Sequence, residues 1–280
     1  MNFVFFGTDE FSVVILEELK RTGLLPSRIV TQPDRPKGRG LVLSPPPTKI
    51  WAQKNVVDLL QPKELDPSFI SSLRAQGSEL FIVASYGLII PKAVLDIPKH
   101  GTLNVHPSLL PKYRGATPIE SQILNDEKEV GVTIMLMDDE MDNGPIVAQK
   151  SLLLDTIQNA NDLQSELALM GGELLAKTVP QWVAGTVEAK PQDDSKATYT
   201  KKLTKSDGEI HLSGDPYKNF LKIQAFSGSI GTYFFAERIG KKIRVGIKAA
   251  EYNDGNLHLT HVVPEGKKEM SYEEFQRGQR

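Results

Sequence analysis

The chain opens on a short apolar run, a glycine turn and a helix-spaced segment, and then returns to that order. "NFVFF" (2–6) stops at Gly7-Thr8, and "EFSVVILEELKRTG" (10–23) carries apolar residues at helical spacing before Gly23. "SRIVTQ" (27–32), "ELFIVASY" (79–86) and "GTLNVH" (101–106) read as further strands, with "PTKIWAQKN" and "DPSFISSLRAQG" as helices between them. Apolar strands alternating with helices predict βαβ units and a mostly parallel, Rossmann-like sheet with flanking helices. Two later apolar runs, 130–137 and 144–154, add strands. Residues 159–185 read as a long amphipathic closing helix with Asn161 as its N-cap.

Residues 186–202 are polar and carry Pro191, which marks a boundary. The expected division is a catalytic domain over 1–185, a linker over 186–202 and a second domain over 203–280. Beyond the boundary, "GTYFFAER", "KKIRVGIKAAEY" and "NLHLTHVV" are short strands split by Gly, Asn-Asp-Gly and Pro, the pattern of a small β-barrel-like domain. The two ends differ in charge. Residues 1–189 hold 17 Lys and Arg against 23 Asp and Glu, whereas 190–280 hold 16 against 12. A basic end beside an acidic body suits an anionic partner, and equally a solvated charged face.

The absence of cysteine excludes disulfides, thiolate metal sites and a Cys nucleophile. The first residues, "MNFVFFGT", lack the basic start and long apolar core of a leader, and no window reaches the roughly 18 apolar residues of a spanning helix. The expectation is a cytoplasmic protein that touches no membrane. The first βα turn, "GTDEFS", holds one glycine rather than G-x-G-x-x-G, and no G-x-x-x-x-G-K-[ST] loop follows, which argues against dinucleotides and nucleoside triphosphates. H-E-x-x-H and G-x-S-x-G are also absent.

"GTLNVHPSLLPKYRG" (101–115) is then the most informative stretch. On a strand, Asn104 and His106 share a face opposite Leu103 and Val105. Pro107 cannot continue a central ladder, so the pair stands at the strand's carboxyl end, where ligands of open α/β sheets bind. An Asn amide is a neutral donor suited to a developing oxyanion, and a His beside it donates to the same oxygen or moves protons. Such an imidazole usually needs a carboxylate to orient it, and "MDDEMDNGPI" (137–146) supplies four acids. Two polar residues that close a strand by bonding to backbone would show the same periodicity.

These residues resemble a known family. "NVHPSLLPKYRG" is similar to the N-x-H…S-L-L-P-x-x-x-G signature of the 10-formyltetrahydrofolate-dependent formyltransferases, and "GVTIMLMDDEMDNGPIV" to the loop holding that family's aspartate, here Asp142. The likeness runs through nearly all of 1–205. It implies transfer of a formyl group from 10-formyltetrahydrofolate, without a metal, with Asn104, His106 and Asp142 as catalytic residues. It implies folate contacts from Ser108, Leu109, Leu110 and Pro111, from Tyr86 and Gly87 in "VASYGLIIPK", and from Asp138, Asp139, Glu140 and Met141.

"TQPDRPKGRG" (31–40) resembles a family loop that engages a tRNA acceptor stem. This implies initiator methionyl-tRNA as acceptor through its α-amine, with Arg35, Lys37, Arg39, Lys201 and Lys202 as tRNA contacts and Lys190, Lys196 and Lys205 as further phosphate partners. The resemblance also implies an OB-like second domain, here shortened before "EGKKEM", and a monomer. Asp9 stands where the family pattern has Pro. Rival readings are a formyltransferase acting on a nucleotide-sugar amine, a hydrolase of the folate donor, and a non-catalytic RNA- or folate-binding relative.

Overall fold

The computed structural model describes residues 1–37, 41–238 and 240–278, and the side chains of Lys37 and Arg238 lie outside that description. The chain forms two compact units, one of residues 1–115, 131–152 and 164–199, the other of 116–130, 153–163 and 200–280. Residues 186–199, the greater part of the segment read as a linker, pack as part of the first unit.

In the first unit, β1 (Phe3–Gly7) leads into α1 (Glu10–Arg21), whose N-cap Asp9 accepts the Ser12 N–H. There follow β2 (Arg28–Val30), a ribbon of β3 (Arg35–Lys37) and β4 (Val42–Ser44), α2 (Pro47–Asn55), β5 (Asp58–Leu60), α3 (Pro67–Ala75) and β6 (Leu80–Ala84). After α4 (Lys92–Leu95) and β7 (Thr102–His106) come α5 (Pro118–Leu124), which belongs to the second unit, and β8 (Glu129–Leu136), β9 (Ile146–Leu153) and α6 (Ala160–Val183), each for the most part in the first. The sheet order is β5-β2-β1-β6-β7-β8-β9. Strands from β5 to β7 are parallel, and β8 is antiparallel to β7. Every residue of β1, β6 and β7 is buried, as expected of parallel strands covered on both faces. Each Phe, Leu or Ile hidden this way contributes about 1.5–3 kcal/mol.

The order reverses at β1, whose neighbours are β2 and β6, and a sheet of this kind opens its ligand crevice outside the carboxyl ends at such a point. Thr8 Oγ1 donates there to the Tyr86 carbonyl at 2.9 Å. One local expectation is corrected. The N-cap interaction of α6 comes from Asn159, whose Oδ1 accepts the N–H groups of Asn161 and Asp162 at 3.0 and 3.1 Å. In the Pro/Gly-rich segment after Gln32, Arg35, Pro36 and Lys37 pair with Ser44, Leu43 and Val42.

In the second unit, α7 (Pro216–Phe226) begins at Asp215, whose carboxylate accepts two N–H groups of its first turn. It packs on an antiparallel sheet of β10 (Thr232–Arg238), β11 (Lys241–Asn253), β12 (Asn256–Pro264) and β13 (Met270–Ser271), followed by α8 (Tyr272–Arg277). The core of this unit gathers Ile210, Ile223, Phe234, Val245, Ile247, Val262 and Phe275. The strands pair as an open four-strand order, and among the described residues no pairing joins β10 to β13 to close a barrel.

Candidate active site

β7 ends at His106, and Asn104 and His106, 9% and 4% exposed, share a buried face of that strand with Thr102. The imidazole is held from two sides. Nε2 lies 3.0 Å from the Tyr113 carbonyl, which accepts only, so Nε2 carries the proton. Nδ1 lies 3.7 Å from Asp142 Oδ2. In the neutral ring, Nδ1 and the carboxylate face each other as two acceptors. As an imidazolium, the ring would satisfy both partners. Both ring nitrogens are thus aimed at acceptor groups of this chain. Among the described residues the Asn104 carboxamide forms no hydrogen bond, which leaves its N–H group available to a ligand oxygen.

Asp142 reaches this position by a loop that returns from the β8–β9 hairpin. Its φ of 52° lies in the left-handed region, which a non-glycine residue adopts only where its surroundings hold it there. Its Oδ2 accepts the Gly115 N–H at 2.7 Å, and its main-chain oxygen accepts Gln192 Nε2 at 2.8 Å. The Leu136 carbonyl oxygen would stand 1.8 Å from a Cβ at Gly144, so only glycine allows the hairpin to close this tightly.

The segment expected to touch folate is turned inward. Ser108 is fully buried, and its hydroxyl donates to the Lys112 carbonyl at 2.7 Å. Leu110 is buried, its N–H bonded to Thr133 Oγ1 and its carbonyl to Gln149 Nε2. Leu109 and Pro111 are half-buried. This turn carries the Tyr113 carbonyl to His106. Tyr86 packs its ring against Phe6 in the core; burial pushes its hydroxyl up to about 12, and among the described residues Oη has no hydrogen-bond partner. Gly87 is exposed with φ 78°, and a Cβ there would meet Gln32 Nε2 at 2.6 Å. Asp138 is half-buried and accepts the Glu140 N–H at 3.0 Å, while Asp139, Glu140 and Met141 are exposed. Of the four acids in this loop, Asp142 is the one that meets the imidazole.

The expected tRNA contacts are divided between the two units. Arg35 is exposed on β3; Arg39 and the side chain of Lys37 lie outside the described residues. In the second unit Lys201 and Lys202 are exposed, but Lys201 Nζ is already paired with Asp207 at 2.9 Å. Among the described residues no cluster of three or more His, Asp or Glu is placed to hold a metal ion, and no helix is long and apolar enough to cross a membrane.

Sequence reasoning passed over Arg114 and Gln192. Arg114 stands within the quoted signature and is 2% exposed, while Gln192 falls in the polar stretch read as a linker. A lone Arg and a lone Gln carry no periodicity that would single them out.

A doubly wound α/β sheet thus brings an amide, an imidazole and a carboxylate together where β7 ends, a set of groups suited to addition to a carbonyl group. Residues 1–179 match the formyl transferase family. Methionyl-tRNA formyltransferase of Chloroflexus aurantiacus is 44% identical over 251 residues, covering 89% of this chain and 80% of its own. That of Dictyoglomus turgidum is 39% identical over 308 residues, covering 100% and 97%. Among solved structures, the N-formyltransferase of Helicobacter canadensis in complex with folinic acid and dTDP-3-aminofucose superposes with a TM-score of 0.63 at 18% identity, covering 97% and 98%. The chain belongs to the formyl transferase family, and its activity is formyl transfer.

Proposed function

We propose that this enzyme transfers the formyl group of 10-formyltetrahydrofolate to the α-amine of initiator methionyl-tRNA, as a cytoplasmic monomer. The likeness to methionyl-tRNA formyltransferases along the whole chain supports that acceptor, and the His106–Asp142 pair at 3.7 Å carries the chemistry. A free α-amine has a pKa of about 7.7–8.0, so roughly a tenth is neutral at pH 7 and attacks without strong activation. The harder task is the charge that develops on the formyl oxygen. Asn104 donates to it. Both ring nitrogens of His106 face groups of this chain, so its role is the proton rather than the oxyanion. The amine nitrogen bonds to the formyl carbon, the bond from that carbon to the folate nitrogen breaks, the amine's proton passes to the His106–Asp142 pair, and the folate nitrogen gains one.

On this reading Gly87 and residues 138–141 line the folate site, and the buried Tyr86 supports it from the core. Ser108 and Leu110, both buried, act on it by shaping the turn beneath it. Arg35, Lys37 and Arg39 on the 32–47 segment, with Lys201, Lys202 and the rest of 203–280, follow tRNA phosphates. The test supplies 10-formyltetrahydrofolate with charged initiator tRNA or with a nucleotide-sugar amine. The expected result is formylation of the tRNA alone. Asn104→Ala should lower kcat by about 10²–10³ with the KM for the folate little changed. Formylation of the sugar amine instead would replace the acceptor, and wild-type turnover by Asn104→Ala would remove that residue from the reaction.

A further inference from the structure

We infer that Gln192, held by the buried Arg114, is a positioning residue that sets the backbone of Asp142 so that its carboxylate meets His106. The inference rests on the proposed role of Asp142. Gln192 Nε2 donates to the Asp142 carbonyl and to the Gly144 carbonyl, each at 2.8 Å. It thus grips the hairpin on both sides of Asn143. The orientation of its amide is not free to reverse. Gln192 Oε1 accepts Arg114 Nε at 3.1 Å and Nη2 at 2.8 Å, and a guanidinium only donates. The oxygen must face Arg114, and the NH₂ group must face the two carbonyls.

Arg114 is locked in turn. Its Nη2 also donates to Asp194 Oδ1 at 2.7 Å, its Nη1 to the Tyr199 hydroxyl at 3.2 Å, and its main-chain N–H to the Thr198 carbonyl at 2.9 Å. Tyr113 N–H donates to Thr198 Oγ1 at 2.8 Å, and Ile146 and Lys190 exchange main-chain hydrogen bonds at 2.7 and 2.8 Å. The segment 190–199, with a 3₁₀ turn over Asp194–Lys196, therefore ties the residues that support the imidazole to the hairpin that presents the carboxylate. Asp142 is fixed at its carbonyl by Gln192 and at its carboxylate by Gly115, and its φ is left-handed. Releasing the carbonyl lets that φ relax to the common region and turns the side chain away from His106.

Gln192→Glu discriminates this role. It keeps the size of the side chain and an acceptor for Arg114, but it aims a carboxylate oxygen at two carbonyls. The expected result is a fall in kcat of about 10- to 100-fold, as seen when groups that orient a reacting residue are removed, with the folate KM within about twofold. The limbs of the pH–kcat profile should move as well. Combined with Asp142→Asn, it should cost nothing further, because both changes act through one carboxylate. Gln192→Met, which lacks donor and acceptor alike, should repeat the loss while circular dichroism and melting stay near wild type. Wild-type kcat in Gln192→Glu would overturn the inference. So would losses that multiply in the double variant, or activity that disappears only together with the fold in both variants. Wild-type kcat in Asp142→Asn would instead remove the reading on which the inference stands.

Discussion

The site around His106 and the sheet of the second unit are built by opposite means. At the site, hydrogen bonds join residues 27, 50 and 80 positions apart: Gly115 to Asp142, Gln192 to Asp142, and Arg114 to Asp194. In the second unit, β11 and β12 are neighbours in sequence joined by Asn253-Asp254-Gly255-Asn256. Asp254 and Gly255 take φ values of 51° and 79°, as a tight hairpin of the strand-twisting kind requires. One region spends burial on polar groups that must each find a partner. The other buries Phe234, Val245 and Val262 and leaves its cations outside, with Arg244 3.7 Å above the Tyr233 ring and Lys242 4.1 Å above that of Phe235. A buried polar network loses function when one member fails, while an apolar core loses stability in proportion to what is removed.

The sharpest test of that contrast is Asp142→Asn. It should lower kcat by about 10²–10⁴, the range for a positioned acid–base group, while the melting temperature barely moves. Single-turnover rates beside a thermal scan check this, and a loss of stability without a loss of rate would reverse the assignment of the two regions. Phe234→Ala should do the converse, destabilising the second unit by about 3–5 kcal/mol through the cavity it leaves. Chemical denaturation measures it, and an unchanged midpoint would mean that the core around Phe234 is not what holds that unit.

The smallest effect is acidic. Hydrogen bonds from Gln61 and then Lys49 hold the Asp34 carboxyl below its ordinary value of 3.8. A carboxylate with a depressed folded value contributes stability that is present above the unfolded value and lost as pH falls through the folded one. Wild type should thus lose part of its stability below the usual carboxylate range, and Asp34→Asn should lose less over the same interval. Melting curves across that interval decide it, and parallel curves for the two proteins would remove Asp34 from the effect.

Much of the fold was legible. The apolar runs became β1, β6 and β7, "PTKIWAQKN" became a helix over the same residues, and Pro107 marked where β7 stops. Periodicity reads such features because a covered strand and an amphipathic helix each repeat their own spacing. Capping depends on one side chain and slipped by two residues, from Asn161 to Asn159. At the site, Asn104 and His106 were visible as polar residues at a strand end. The inward turn of Ser108 was not, because its partner is a backbone carbonyl four residues on, which leaves no trace in residue type.

From the sequence alone came the sheet, the strand that carries an amide and an imidazole, and the presence of four acids nearby. Alternation and helical spacing encode which face a residue takes, and these determined them. The family resemblance picked Asp142 out of the four; that its carboxylate meets His106, and what holds it there, was decided only by the folded chain. Asp142 is drawn back by contacts from Gly115 and Gln192, and loop closure over such distances depends on where each partner lies in space rather than on any local pattern.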